Sequence, residues 1–318
     1  MVHSGKMMSK RRSKVKRLRF KQVMRRYGLV YLMFLIPLTV LLIFKYIPMY
    51  GAQIAFRNYK PALGVLESEW VGFQNFIKFF ESPYFITTIK NTLTLNIYSL
   101  LTFPLGLVFA LMLRYCRSRR FGKAVQMVSY APHFISTVVV CGLITQFLSG
   151  RIGMINKLIE LFGGTGANWM GSESAFKHIY AWSDVWQNLG FNSIIFISAL
   201  AGISPELHEA AIVDGASLRQ RIVHIDIPGV LTTFVVLLIL RFGSLMNIGY
   251  EKVLLLQNDL NRGASEIIST YTYKIALQSM IPQYSYASAI GMFTSVVNMV
   301  LLFIVNKIAK VVGGRSLW

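Results

Sequence analysis

The chain is predicted to be an all-α integral membrane protein with six transmembrane helices, and three observations predict it. Its 318 residues are 54% hydrophobic and only 14% charged, with a mean hydropathy of +0.51, a balance that a soluble domain could not hide from water. Six apolar runs reach the length of about 20 residues that crosses a bilayer. The basic residues are shared unevenly between the segments that separate those runs.

The runs cover residues 29–47, 86–113, 125–148, 179–200, 229–248 and 286–305. The first follows a segment of 26 residues that carries 11 of the chain's 33 Lys and Arg and no acid. A formal net charge of +20 suits nucleic acid in general, but charge concentrated beside an apolar span is a topology signal, so no nucleic-acid partner is expected. With that tail inside, the inner segments hold 21 basic residues, five of them between Arg114 and Lys123, and the outer loops hold nine. The asymmetry predicts a multi-pass protein of the plasma membrane, in contact with its lipids, with both termini and the 201–228 loop in the cytoplasm. The first run is read as a retained anchor, because Tyr46-Ile-Pro-Met-Tyr50 offers no small-residue cleavage site. Cys116 and Cys141 are read as packing residues rather than a disulfide. The expected organisation is a basic tail over 1–28, a six-helix domain over 29–306, and a short tail over 307–318.

The polar loop between the fourth and fifth runs has its own punctuation. Ser204 suits a helix N-cap, Pro205 the first turn, and Glu206 and Glu209 place negative charge near the helix's positive end. Ala210 and Ala211 are small enough for close docking, and Asp214-Gly215-Ala216 provides a corner at which glycine accepts the sharp turn. A second short helix is predicted through Arg219 and Arg221, ending at Ile225-Asp-Ile-Pro228, with Pro228 opening the next span.

Read together, Glu209, Ala210, Ala211, Gly215, Ile225 and Pro228 resemble the "EAA" coupling loop of permease subunits of binding-protein-dependent ABC importers. Ile227 and Asp226 depart from the family's usual residues without removing a backbone requirement. The resemblance extends through Val71-Gly-Phe-Gln-Asn-Phe76, Asn91-Thr92 and Gly153-Met-Ile-Asn156 to Trp182 and Trp186. It is nearest to the carbohydrate class, the maltose-permease-like family, in its polysaccharide-type branch. It implies an ABC type I importer permease fold and transport of an oligosaccharide or polysaccharide-derived sugar. It also implies a second permease, two copies of an ABC ATPase, and an extracytoplasmic solute-binding lipoprotein as partners. Glu209, Ala210, Ala211, Asp214, Gly215, Ala216, Ile225 and Pro228 would then couple to the ATPase. A secondary, ion-coupled transporter is the alternative; it predicts midplane acidic residues and a complete internal repeat, whereas the acids here lie mostly in loops.

No phosphate loop occurs: Gly163-Gly-Thr-Gly166 lacks the lysine. ATP and magnesium are therefore expected on the partner ATPase, with no cofactor, metal or catalytic residue in this chain. Candidates for the translocation path are the polar residues on the spans: Asn188 and Asn192 on the fourth, Asn247 after the fifth, and Ser288, Ser295 and Asn298 on the sixth. Polar stripes also serve interhelical packing, so these carry both readings. Arg241 is the sharpest candidate because intramembrane charge more often faces protein or a cavity than lipid. Asp184, Asn247 and backbone carbonyls are its expected partners.

Overall fold

The computed structural model describes residues 24–150 and 152–313. The basic residues before Met24 and the last five residues lie outside them. Among the described residues four helices are long and apolar enough to cross a membrane, and two bent pairs bring the number to six where each pair counts as one span.

The first span, α1 (Met24–Phe56), is longer than the apolar run that announces it, and none of its apolar window is buried within the chain. Its exposed Leu, Ile and Phe side chains need lipid or another subunit to cover them. The end of α1 leads into a hairpin of β1 (Arg57–Lys60) and β2 (Ser68–Trp70), antiparallel with Arg57 opposite Trp70. This hairpin and the short α2 (Gln74–Phe80) lie outside the all-helical expectation or between its spans. The second span is α3 (Tyr84–Thr102) and α4 (Leu105–Arg114), interrupted at Phe103-Pro104.

The third run is the clearest correction. Residues 125–148 were expected to cross as one helix, but α5 (Arg119–Tyr130) and α6 (Thr137–Phe147) form a pair bent by 98°. Pro132 cannot continue the helical hydrogen bonding. Beyond it the Ser136 side chain accepts from the Val139 N–H and starts a new helix. The carbonyl of Ile135, left over at the bend, accepts from Gln187 Nε2 at 3.1 Å. After α7 (Met154–Leu161), the 29-residue α8 (Glu173–Ala201) is capped by Ser172 and forms the spine of the bundle. Gly190 lets α5 approach it: a Cβ there would lie 2.4 Å from the Ser129 carbonyl oxygen.

Beyond α9 (Pro205–Val213), a single helix α10 (Leu218–Phe242) supplies the fifth span. Pro228 was expected to open that span; instead it sits inside a continuous helix, two residues past a π turn over Ile222–Asp226. The same device precedes Pro48 in α1, where the π turn covers Leu42–Tyr46. In each case the N–H just ahead of the proline bonds five residues back, Ile227 to Ile222 and Ile47 to Leu42. The wider turn makes room for a ring that would otherwise strike the preceding turn's carbonyl. Short helices α11 (Tyr250–Leu256), α12 (Arg262–Ser265) and α13 (Ile268–Tyr273) then lead to the sixth span, α14 (Tyr284–Gly313), which continues as helix past Asn306.

Three apolar clusters hold these elements. Phe103, Ala110, Phe196, Leu200 and Val230 join α4, α8 and α10 at the end of the bundle that carries α9. Leu95, Cys141, Phe176, Tyr180 and Val253 form a second. Phe79, Met246, Ile268, Tyr286 and Ile290 form the third against α14. Cys141 is thus a buried packing residue, and Cys116 is a free, half-buried thiol.

Candidate functional site

The corner between α9 and α10 is built from local hydrogen bonds. Ser204 Oγ accepts from the Glu206 N–H at 3.3 Å, and Pro205 occupies the first turn, where its missing donor costs nothing. The helix ends in a Schellman motif: Ala216 N–H donates to the Ala211 carbonyl at 2.8 Å and Gly215 N–H to Ile212 at 3.1 Å. Gly215 takes φ +75°, the left-handed conformation that a Cβ disfavours. Ser217 restarts the helix through a reciprocal capping box with Gln220, whose Oε1 accepts from the Ser217 N–H at 2.7 Å.

Glu209, Ala210, Asp214 and Gly215 are exposed on this corner; Ala211, Ala216 and Ile225 are half-buried, and Pro228 is exposed on α10. Leu207, Ile212 and Val213 are also exposed, Val213 at 86%. Apolar side chains flanking an acid on a short, rigid helix form a surface suited to a partner.

Behind the corner lies a buried ion cluster that no local pattern announces. Asp226 is fully buried in the π turn. Arg114 Nε from the end of α4 lies 3.4 Å from its Oδ1, and His208 Nε2 from α9 lies 3.3 Å from the same oxygen. Tyr115 Oη donates to Oδ2. Burial, and then the bond to Asp226, push the Tyr115 hydroxyl above its ordinary range. Arg114 also donates to the Leu200 carbonyl at the end of α8 and lies 3.0 Å from His208 Nε2. The chain after α4, α9 and α10 therefore meet at one carboxylate, and Arg114 ties the end of α8 to it.

Within the spans, Arg241 Nη1 donates to Ser99 Oγ at 3.2 Å, and its guanidinium lies 4.9 Å from the centre of the Phe103 ring. With Asn192, Phe191, Leu240 and Ser244 it lines a groove of about 500 Å³. Asp184 pairs elsewhere: its Oδ1 accepts from Asn188 Nδ2 at 2.8 Å and lies 3.9 Å from Lys252 Nζ. Asn188 Oδ1 in turn meets His133 Nδ1 at 2.8 Å, with the His133 ring stacked on Phe191. Lys252, which the sequence places in an outer loop, is buried in α11, and its Nζ has no hydrogen-bond partner. Asn247 is exposed, away from Arg241's hydrogen bond. On α14, Ser288 is half-buried and Ser295 exposed. Asn298 is buried, and its Oδ1 accepts from the Met246 N–H at 2.8 Å.

A bundle of four to six apolar spans with a doubly capped helical corner is the architecture of an integral membrane protein with a built polar corner. The chain belongs to the family of binding-protein-dependent transport system inner membrane components, whose pattern its residues 102–313 match. It is 39% identical over 309 residues to the polygalacturonan/rhamnogalacturonan transport system permease protein YteP of Bacillus subtilis (strain 168), covering 97% of this chain and 95% of that one. It is 40% identical over 282 residues to Protein LplB of the same organism, 88% of each chain. Among solved structures, a chain of a bacterial ABC transporter involved in the import of the acidic polysaccharide alginate superposes with a TM-score of 0.84 at 37% identity. That match covers 93% of this chain and 99% of the other. A second structure of similar fit, TM-score 0.84, is an alginate ABC transporter in complex with alginate pentasaccharide-bound periplasmic protein. The type I permease fold and ABC-importer membership thus replace the ion-coupled alternative.

Proposed function

We propose that this permease subunit is driven through the corner at Gly215 by a separate ATPase, which holds the ATP and magnesium. The observation that carries this reading is the exposed α9 surface, with Glu209 beside Leu207, Ile212 and Val213, fixed by hydrogen bonds at both ends. Because the Asp226 cluster ties α9 to the ends of α4 and α8 and to α10, displacement of α9 would reach three spans at once. The functional assembly would contain a second permease, two copies of the ATPase and an external solute-binding lipoprotein. Both termini and the Arg219 region would face the cytoplasm, the side that the basic bias favours. In vesicles reconstituted with the full importer, Glu209→Lys should insert normally yet lose ATPase pull-down and receptor-stimulated uptake. Wild-type uptake in that variant would refute the docking role.

The cargo is read as an oligosaccharide carrying acidic sugar residues. Arg241 of α10 lines the groove without an ion pair among the described residues, and Lys252, buried in α11, has a 3.9 Å approach from Asp184 but no hydrogen bond to its Nζ. A buried charge with so little compensation is costly, and an anionic sugar passing the groove would pair with Arg241. The relatives named for polygalacturonan and alginate point the same way. Arg241→Gln and Lys252→Gln should lower uptake of an oligogalacturonide by roughly tenfold or more, a loss of about 1.4 kcal/mol. Unchanged uptake at equal membrane abundance would overturn the assignment.

A further inference from the structure

A second cavity, of about 420 Å³, opens beside the end of α4 and the start of α5. Arg114, Arg117, Arg119 and Lys123 line it, with no acidic residue among its lining groups. Arg114 is engaged by Asp226, but Arg117, Arg119 and Lys123 form no ion pair among the described residues. Cations gathered round one cavity repel one another until a counter-anion enters. The opposite wall is apolar, formed by Ala110 and Leu113 of α4 and Ile197 and Leu200 of α8.

We propose that this cavity binds the phosphate headgroup of an anionic membrane phospholipid. The depth argues for a lipid rather than a soluble anion. α5 begins with Arg119, Arg120 and Lys123 and ends with exposed Met127 and Val128, so it passes from a charged to an apolar layer along its own length. The cavity lies where the second span gives way to that basic turn, the level at which headgroup phosphates meet acyl chains. Arg117 and Arg119 supply planar donor sets suited to phosphate oxygens, and Lys123 adds a point charge. Arg114 stands between the two sites, facing Asp226 on one side and the cavity on the other. A bound headgroup would therefore sit against the cluster that anchors α9. The lipid site itself stands whether or not α9 proves to be the ATPase contact, because its readout is lipid binding rather than transport.

The test uses the assembled importer, offered equal amounts of phosphatidylglycerol and phosphatidylcholine and examined by native mass spectrometry. Phosphatidylglycerol should be retained preferentially. The double variant Arg117→Gln/Lys123→Gln should reduce that retention roughly thirtyfold, at about 1 kcal/mol for each of the two cations near a charged surface. Arg120→Gln, at a residue that does not line the cavity, should leave retention unchanged. Cys116 lines the cavity and reports occupancy in the unmodified protein. Its modification by a small maleimide should be slower in phosphatidylglycerol vesicles than in phosphatidylcholine vesicles, and inorganic phosphate should not reproduce the protection. Equal retention of the two lipids, an unaffected double variant, or protection by inorganic phosphate equal to that by lipid would each overturn the proposal. If the double variant fails to assemble, Cys116 protection in the wild type decides.

Discussion

Gly215→Val isolates the α9–α10 corner from everything around it. At φ +75° the residue lies in the left-handed region, and a Cβ built there meets nothing within 4 Å. The substitution therefore introduces no clash with a neighbour, and its whole effect is backbone strain. Left-handed backbone costs an L residue about 1–2 kcal/mol, with the upper part of that range expected for a β-branched side chain. Strain of that size competes with the two hydrogen bonds of the Schellman motif, each worth about 1 kcal/mol, so the corner should open while the spans remain packed. Gly215→Asn is the control, because asparagine tolerates this conformation. In reconstituted importer, Gly215→Val should keep near-normal membrane abundance but lose most receptor-stimulated ATP hydrolysis and uptake, and Gly215→Asn should retain most of both. Equal activity of the two variants, or loss of both proteins from the membrane, would refute the reasoning.

Three further outcomes follow from named contacts. Asp226→Asn weakens the charged bond from Tyr115 and leaves Arg114 facing a neutral amide. Because the Arg114 side chain is 26% exposed, water offsets part of the loss, and thermal unfolding should report about 2 kcal/mol; no change would mean that the cluster is not an anchor. Glu266 is buried, which alone would raise its carboxyl, but bonds from Lys274, Arg262 and Thr270 outweigh burial and hold it below its ordinary 4.5. Its contribution should be complete above that value and be lost as the pH falls through the lower folded value, while Glu266→Gln should cost about 3 kcal/mol and remove that part of the acid sensitivity. A flat pH response in the wild type would contradict it. On a background without Cys116 and Cys141, a cysteine at position 219 should resist an impermeant thiol reagent in intact cells while one at 74 reacts; labelling at 219 would invert the topology.

The corner was readable in the sequence because it is assembled from neighbours. Ser204, Pro205, Gly215 and Ser217 act within a few residues of their own positions, and each takes the backbone role its chemistry favours. The prolines were less readable. Pro132 accompanies a 98° bend, whereas Pro48 and Pro228 remain inside helices, and what separates them is a π turn in one case and the Ser136 cap with Gln187 in the other. The Asp226 cluster lay beyond sequence reading because its partners stand 111 and 18 residues away, at Tyr115 and His208. The one local signal was an acid where an apolar turn precedes a proline. Lys252 was hidden in the opposite way: a polar stretch suggested an exposed loop, but α11 packs into the bundle and carries the lysine inward.

The central claim, that α9 is the surface on which the ATPase acts, is tested most directly by a photo-crosslinking residue at position 213, the most exposed apolar position on that helix. In the reconstituted importer the cross-link should form to the ATPase subunit, and its yield should change between nucleotide-free and ATP-bound conditions. A cross-link confined to lipid or to the second permease, or one to the ATPase in the same yield under both conditions, would contradict the account.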